Sequence, residues 1–282
     1  MNLLLGKPVA DKINEDLKPV IEDLKKKGVT PTLAVVRVGA REDDLAYERG
    51  LKKKFDSMEC GVVVMELPED VSQEELDDTV ANLDKDPDIH GILMFRPLPK
   101  TLTDENIVKS ISAVKDSDCM GTANMANLFA GNGEGYAPCT AQAVIEILKF
   151  YGIDLKGKKV TVVGRSLVIG KPVALMLIKE NATVTVCHTR TADLKAECKA
   201  ADIIVAAAGK AKMITKDFVR EGQTVIDVGM NVDEEGNLCG DVNFDEVSEL
   251  TEAITPVPRG VGSVTTSVLL KNVVTGAVKS VG

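Results

Sequence analysis

The feature that most constrains the fold is an alternation along the whole chain. Short, continuous apolar runs are followed by longer segments whose apolar residues recur every three to four positions. Continuous apolar runs suit strands buried on both faces, and the helical segments between them supply the covers. The pattern therefore predicts an α/β protein built from βαβ units around mostly parallel sheet. In the first half, Val9, Ile13, Leu17, Val20, Ile21 and Leu24 mark a helix that stops near Gly28. Strands are expected at 32–38, 62–67 and 91–95, with helices at about 43–58 and 73–83 and a helix tail at 108–114. Pro97 and Pro99 close the third strand, because proline cannot donate to a ladder.

The second half repeats this grammar. A helix at about 141–151 precedes a strand at 159–163, a glycine-containing turn and a helix from about 170; further strands fall at 203–207 and 224–228, after one at 182–187. Four βα steps in so short a span predict a doubly wound domain. The boundary is placed near 120–140, where the segment 130–135 (AGNGEG) reads as an exposed loop. Two α/β domains result, at 1–120 and 140–260, with a terminal helix from about 261 to 282 expected to return to the first.

Composition narrows the partners. The 282 residues carry a net charge of −9, which argues against nucleic acid and anionic membrane, both of which favour basic surface. No run approaches the ~20 apolar residues of a membrane span, and with no Trp and three Tyr the chain lacks stacking platforms for single strands. A small molecule is the expected ligand. Six scattered cysteines and two histidines fit no zinc framework, so no metal is expected and histidine-centred catalysis is disfavoured. The amino-terminal MNLLLGKPVADK does not read as a secretory signal, so a reducing, cytoplasmic setting is expected.

Four segments carry candidate chemistry. After the 159–163 strand, Gly164-Arg165-Ser166 leads to Gly170-Lys171-Pro172; a strand, a tight turn and a helix amino terminus gather N–H groups that suit a phosphate. It departs from G-x-G-x-x-G, since Ser166 stands at the second glycine and the last glycine falls one place late. The next strand ends in Cys187-His188-Thr189-Arg190-Thr191, basic and hydroxyl-rich where an acidic residue would bind a ribose 2′-hydroxyl. That favours a 2′-phosphate, hence NADP, with Arg165 and Arg190 as partners; two solvated surface arginines are the plain alternative. On the 43–58 helix, Leu51 and Lys54 share the face of Tyr47, whereas Lys52 and Lys53 point elsewhere. A desolvated lysine can move protons, though lysine runs are commonly solvated surface. Asp116-Ser117-Asp118 suits either the N–H groups of a polar heterocycle or a plain turn. The loop Pro256-Val257-Pro258-Arg259-Gly260-Val261-Gly262 calls for close backbone approach, to a ligand or to another strand.

These segments together resemble the bifunctional methylenetetrahydrofolate dehydrogenase/cyclohydrolase family over essentially the whole chain. The resemblance rests on Gly164-Arg165-Ser166 with Gly170-Lys171-Pro172, Pro138-Cys139-Thr140, Cys187-His188-Thr189-Arg190-Thr191 and Asp227-Val228-Gly229-Met230-Asn231. Gly240-Asp241-Val242, Pro97-Leu98-Pro99 and the 256–262 loop complete it in family order. It implies an amino-terminal folate-binding domain, a Rossmann-type NADP domain, a cleft between them and a homodimer. It also implies two reactions of one-carbon metabolism: hydride transfer from methylenetetrahydrofolate to NADP⁺, then hydrolysis of the methenyl cation to formyltetrahydrofolate, which serves purine biosynthesis. By the same resemblance Tyr47 and a lysine act in proton transfer and Asp118 grips the pterin. Arg96, Pro97, Leu98, Pro258, Gly260 and Gly262 line the substrate, and Gly164, Arg165, Ser166, Gly170, Thr189, Arg190 and Met230 line the cofactor.

The sequence departs from the family pattern at several of these places. Four residues after Tyr47 stands Leu51 instead of lysine, and counting back from Gly61 puts Lys53 in that register, while Lys54 stays on the tyrosine's face. Phe95 replaces a glutamine, Cys119 the glycine after Asp118, and Arg259 and Ser263 a glycine and a proline. The expectation is a secure dehydrogenase and a cyclohydrolase either weak or reorganised around Lys53 or Lys54, with Arg96 nearby. The alternatives are a monofunctional dehydrogenase, a folate- or NADP-binding protein without turnover, and a dehydrogenase of another small substrate, such as a shikimate-type enzyme.

Overall fold

The computed structural model describes residues 1–281. Its elements run β1 (Asn2–Leu3), α1 (Gly6–Lys26), β2 (Thr32–Val38), α2 (Glu42–Ser57), β3 (Gly61–Leu67), α3 (Gln73–Lys85), β4 (Gly91–Met94), α4 (Glu105–Ser110), α5 (Thr122–Ala130) and α6 (Cys139–Phe150). They continue with β5 (Lys159–Val163), α7 (Gly170–Lys179), β6 (Thr183–Cys187), α8 (Leu194–Ala200), β7 (Ile203–Ala206), β8 (Thr224–Asp227), β9 (Asn231–Val232), β10 (Leu238–Cys239), α9 (Phe244–Ser248), β11 (Ala253–Ile254) and α10 (Gly262–Ser280). Two compact units result: 12–139 with the chain from Thr266 onward, and Met1–Asp11 with Thr140–Thr265.

In the first unit the sheet order is β3-β2-β4, all parallel. Central β2 is buried on both faces, with Leu33, Ala34, Val35 and Val36 at 0% exposure, as its unbroken apolar run requires. Leu76, Val80, Ile92, Met94 and Ile107 close one side of its core. The one charge in β2, Arg37, is buried and pairs with Glu48 on α2 (3.0 Å) and Glu66 on β3 (3.0 Å). Burial would push the Glu48 carboxyl up, but hydrogen bonds from Lys52 and Arg37 outweigh it and hold it below its usual value. The pair fixes α2 against the strand whose carboxyl end it follows.

Two segments differ from the sequence expectation. The helix tail stops at Ser110, because Ser112 gives its amide and hydroxyl to Asp84 (3.2 and 2.6 Å) and turns the chain aside. Beyond Ser112 the chain runs beside β4, with Asp116 bridged in parallel to Ile92. A turn follows at once, closed by the Cys119 amide donating to the Asp116 carbonyl (3.3 Å), and Asp118 is carried on that turn. Residues 122–130, within the expected boundary region and assigned no element, form α5, which ends at Gly131 in the left-handed conformation.

The second unit is a six-stranded sheet, β1-β11-β8-β7-β5-β6, in which every pair is parallel. The strand order reverses between β5 and β7, since the chain passes from β5 outward to β6 and then returns to β7 on the other side. In such doubly wound sheets ligands sit outside the carboxyl ends at that point. The α/β class and the parallel, doubly wound second sheet are as the sequence predicts. No helix among the described residues is long and apolar enough to cross a membrane, and no cluster of three potential metal ligands occurs among them.

Candidate functional site

The carboxyl ends of β2 and β4 hold the candidate site of the first unit. Helix α2 starts four residues after β2 and buries the stripe Glu48, Leu51 and Phe55. At ~100° per residue, Lys54 lies about 20° from the direction of Tyr47, whereas Lys53 lies about 120° away. Lys54 is accordingly half-buried and Lys53 exposed, while Lys52 is taken by Glu48 (2.7 Å). Leu51 is 0% exposed, so the position four residues after Tyr47 faces the core. Gly50, between Tyr47 and Lys54 on that face, would have nothing within 4 Å of an added Cβ, which leaves a notch there.

Tyr47 is 39% exposed, yet burial is the main cause raising its phenol above the usual value, with Cys139 and Asp118 adding to the rise and a hydrogen bond with Thr266 opposing it. An exposed ring with a desolvated hydroxyl belongs to a recess. Phe95 packs on it at 5.6 Å between ring centroids, filling the place of the family's glutamine with an aromatic wall. Arg96 and Pro97 follow on the surface, joined by a cis peptide, and Leu98 is partly buried against the core. Thr266 was not legible as a site residue: only the fold brings α10 to α2.

The two aspartates of the 116–118 segment have different tasks. Asp116 is 1% exposed and spends its oxygens on the Met120 amide (2.8 Å), the Gly121 amide (2.9 Å) and the Asn124 side chain (2.9 Å), closing the turn into α5. Asp118 accepts the Cys139 amide at 2.8 Å. Burial raises its carboxyl above the usual range, while Cys139 and the charge of Arg96 pull it back. Cys119 has φ +55°, the left-handed region where the family carries glycine. Its thiol is pushed up to about 12 by burial and by both carboxylates, so it is no nucleophile.

The second unit carries the phosphate-type turn at its switch point. Gly164 has φ +135°, and a Cβ there would lie 2.1 Å from the Ala207 carbonyl at the end of β7. A Cβ on Gly170 would lie 2.2 Å from the Gly164 carbonyl. Both glycines are therefore required for closure of the turn itself. The Ser166 hydroxyl accepts the amides of Ile169 (3.1 Å) and Gly170 (3.4 Å), ordering the entry to α7. Val163 pairs with Cys187, so Arg165 and Thr189 leave neighbouring strands at the same level. Arg165, Thr189 and Arg190 are exposed, and neither arginine side chain has an ion pair among the described residues. No acidic side chain occupies the 187–191 segment, so the donor set fits a 2′-phosphate.

In sequence, Asp227-Val228-Gly229 and Gly240-Asp241-Val242 stand as separate motifs, with no sign that they interlock. Asp227 accepts the amides of Gly229, Asp241 and Val242 (3.0 Å each). Asp241 accepts those of Ala208 (2.5 Å), Gly209 (3.0 Å) and Lys210 (2.9 Å) and the Asn231 side chain (2.9 Å). A Cβ on Gly240 would strike Asp227 at 1.8 Å and one on Gly229 would strike Asp241 at 2.4 Å. The two carboxylates thus tie the loops after β7 and β8 and hold out Met230, 70% exposed. In the 256–262 loop the close approach is internal: a Cβ on Gly260 would lie 2.4 Å from the Pro256 carbonyl. Pro258 is exposed after a cis peptide, and a Cβ on Gly262 would come 3.2 Å from Met230.

Comparison with known proteins shows the family. Residues 4–118 match the model of the tetrahydrofolate dehydrogenase/cyclohydrolase catalytic domain, and residues 138–281 that of the NAD(P)-binding domain of the same enzymes. The bifunctional protein FolD of Alkaliphilus oremlandii is 54% identical over 272 residues, spanning 96% of this chain and 95% of that protein. The crystal structure of the bifunctional enzyme FolD from Campylobacter jejuni superposes with a TM-score of 0.96 at 40% identity, covering 99% of both chains. The Trypanosoma brucei enzyme, complexed with NADP cofactor and inhibitor, gives 0.92 at 36% identity over 99% of this chain and 98% of that one. Matched by both domain models and by relatives along its whole length, the chain belongs to the tetrahydrofolate dehydrogenase/cyclohydrolase family.

Proposed function

We propose that this protein is an NADP-dependent methylenetetrahydrofolate dehydrogenase and methenyltetrahydrofolate cyclohydrolase whose proton-carrying lysine is Lys54. The observation that carries the reading is the nearness of Tyr47 to Asp118, with Lys54 farther along Tyr47's face of α2, together with the basic phosphate-type turn carried by the other unit.

NADP⁺, when bound, supplies the acceptor for the hydride that leaves the one-carbon bridge. Gly164, Arg165, Ser166, Gly170, Thr189 and Arg190 would hold its phosphates, and the exposed Met230 offers an apolar contact. Hydride transfer depends on positioning two partners and needs no side-chain acid or base, so Leu51 and Phe95 do not bear on it. Asp118 accepts N–H groups of the pterin, its ionised form supported by Arg96.

In the hydrolytic step water adds to the methenyl carbon. The oxygen loses both its protons, one of them reaching N5 as the C–N5 bond breaks and the other being released. Lys54, half-buried on Tyr47's face, moves that proton, and Tyr47, held by Thr266, orients the water. Leu51 is then a core residue and no lesion.

The purified protein should generate NADPH from methylenetetrahydrofolate and NADP⁺ and, in a separate assay, hydrolyse the methenyl compound. Absence of NADPH formation would overturn the enzymatic reading, and absence of hydrolysis would leave the monofunctional alternative. We also infer a homodimer through the second unit, where edge strand β6 exposes Val186 (39%) and α7 exposes Ile178 (56%); light scattering at the monomer mass would contradict it. Six free, buried cysteines support a reducing, cytoplasmic setting.

A further inference from the structure

Asp118 can read a heterocycle only if the turn that carries it is held in place. That turn is demanding: Cys119 sits at φ +55°, and a Cβ on neighbouring Gly91 would lie 2.1 Å from the Ser117 hydroxyl. The peptide that leads into Asp118 exposes the Ser117 carbonyl to two donors. Asn272, on α10, donates its Nδ2–H to it at 2.9 Å, and the Cys139 thiol reaches it at 3.3 Å. Asn272 Nδ2 also lies 3.6 Å from Cys139 Sγ, and the Cys139 amide in turn donates to Asp118 Oδ1 at 2.8 Å. Asn272, Cys139 and Asp118 therefore form one chain of contacts around a single peptide plane. A thiol is a weak donor, so the amide of Asn272 is the strong bond in that chain.

We infer that Asn272 is a positioning residue for the folate substrate, acting through the Ser117–Asp118 peptide. Its helix gains its packing from Val273, Val274 and Ala277, all at most 1% exposed, whereas Asn272 is only half-buried. Its amide contributes orientation more than burial. The inference rests on the proposed role of Asp118 in gripping the pterin.

The test is a double-mutant cycle on the full-length enzyme, measuring KM for methylenetetrahydrofolate, KM for NADP⁺ and kcat. Asn272→Leu should raise the folate KM at least tenfold while leaving the NADP⁺ KM within twofold and kcat within threefold. In an Asp118→Asn background the same substitution should change the folate KM by less than twofold, because the group it positions is already impaired. A parent-like folate KM in Asn272→Leu, effects that multiply in the double variant, or equal losses for both substrates would overturn the inference. Should Asn272→Leu fail to fold, Asn272→Ala, which removes the Nδ2–H donor from the same helix position, carries the same test: it should raise the folate KM and leave the NADP⁺ KM unchanged, and a parent-like folate KM overturns the inference. A folate KM unaffected by Asp118→Asn alone would instead overturn the reading of Asp118, and that single variant keeps the two failures apart.

Discussion

Family resemblance invites one repair: replace Leu51 by lysine, restoring the residue that normally stands one turn after the tyrosine. The structure predicts that this substitution damages the protein. Leu51 is 0% exposed and lies on the buried stripe with Glu48 and Phe55. Losing its burial costs about 1.5–3 kcal/mol, and an ammonium group drawn into that stripe adds a desolvation penalty of at least ~2 kcal/mol, even if the side chain bends partly toward water. A total near ~4 kcal/mol, at roughly 2–4 °C per kcal/mol, lowers the melting temperature by about 8–16 °C. Leu51→Met, which conserves volume, should cost less than about 1.5 kcal/mol. Differential scanning fluorimetry and the methenyl hydrolysis assay read both effects. A Leu51→Lys protein with a parent-like melting temperature and faster hydrolysis would show that the position faces the ligand, refuting the assignment of helix faces on which Lys54 rests.

Three further outcomes are expected from the geometry. Arg259 is exposed at φ +80°, so Arg259→Gly should stabilise the protein by about 0.5–1 kcal/mol, the left-handed penalty less the added chain entropy of glycine; a lower melting temperature would contradict this. Burial raises the Asp227 carboxyl from 3.8 to about 7, with Asp241 adding to the rise and three amides opposing it. Its folded value lies above the unfolded one, so the associated stability is complete below about pH 4 and is lost as pH rises through about 7. Denaturant unfolding should therefore give on the order of a few kcal/mol less from this group at pH 8 than at pH 5, and a flat profile would refute it. Arg190→Ala should raise the KM for NADP⁺ about tenfold while leaving any activity with NAD⁺ within twofold; equal effects on both would remove the 2′-phosphate assignment.

Much of the fold was legible because β2, β5 and β7 carry mostly apolar residues buried on both faces, a pattern few other environments produce. What escaped was short or tertiary. Strands β1, β9, β10 and β11 have two residues each, too few to show any period. The helix tail after Ser110 reads too long in sequence because its end is set by Asp84, far away along the chain.

In the candidate site the sequence supplied Tyr47, Lys54 and Asp118 but not the choice between Lys53 and Lys54, since a register counted from Gly61 and a helix face counted from Tyr47 disagree. The proposed choice of Lys54 follows the face, because burial of Glu48, Leu51 and Phe55 fixes the rotation of α2. Cys119 and Arg259, departures at glycine positions, both prove to occupy left-handed backbone, so the family's glycines there answer to geometry. Thr266 and Asn272 were invisible in sequence, as each acts on a partner more than 150 residues away.

The measurement that bears most directly on the central claim is the rate of methenyltetrahydrofolate hydrolysis in Lys54→Ala beside Lys53→Ala, with NADP-dependent oxidation measured in both. Lys54→Ala should slow hydrolysis at least tenfold, about 1.4 kcal/mol of barrier, and leave oxidation within threefold, while Lys53→Ala should match the parent in both. Hydrolysis that survives Lys54→Ala, or that falls with Lys53→Ala instead, would contradict the account.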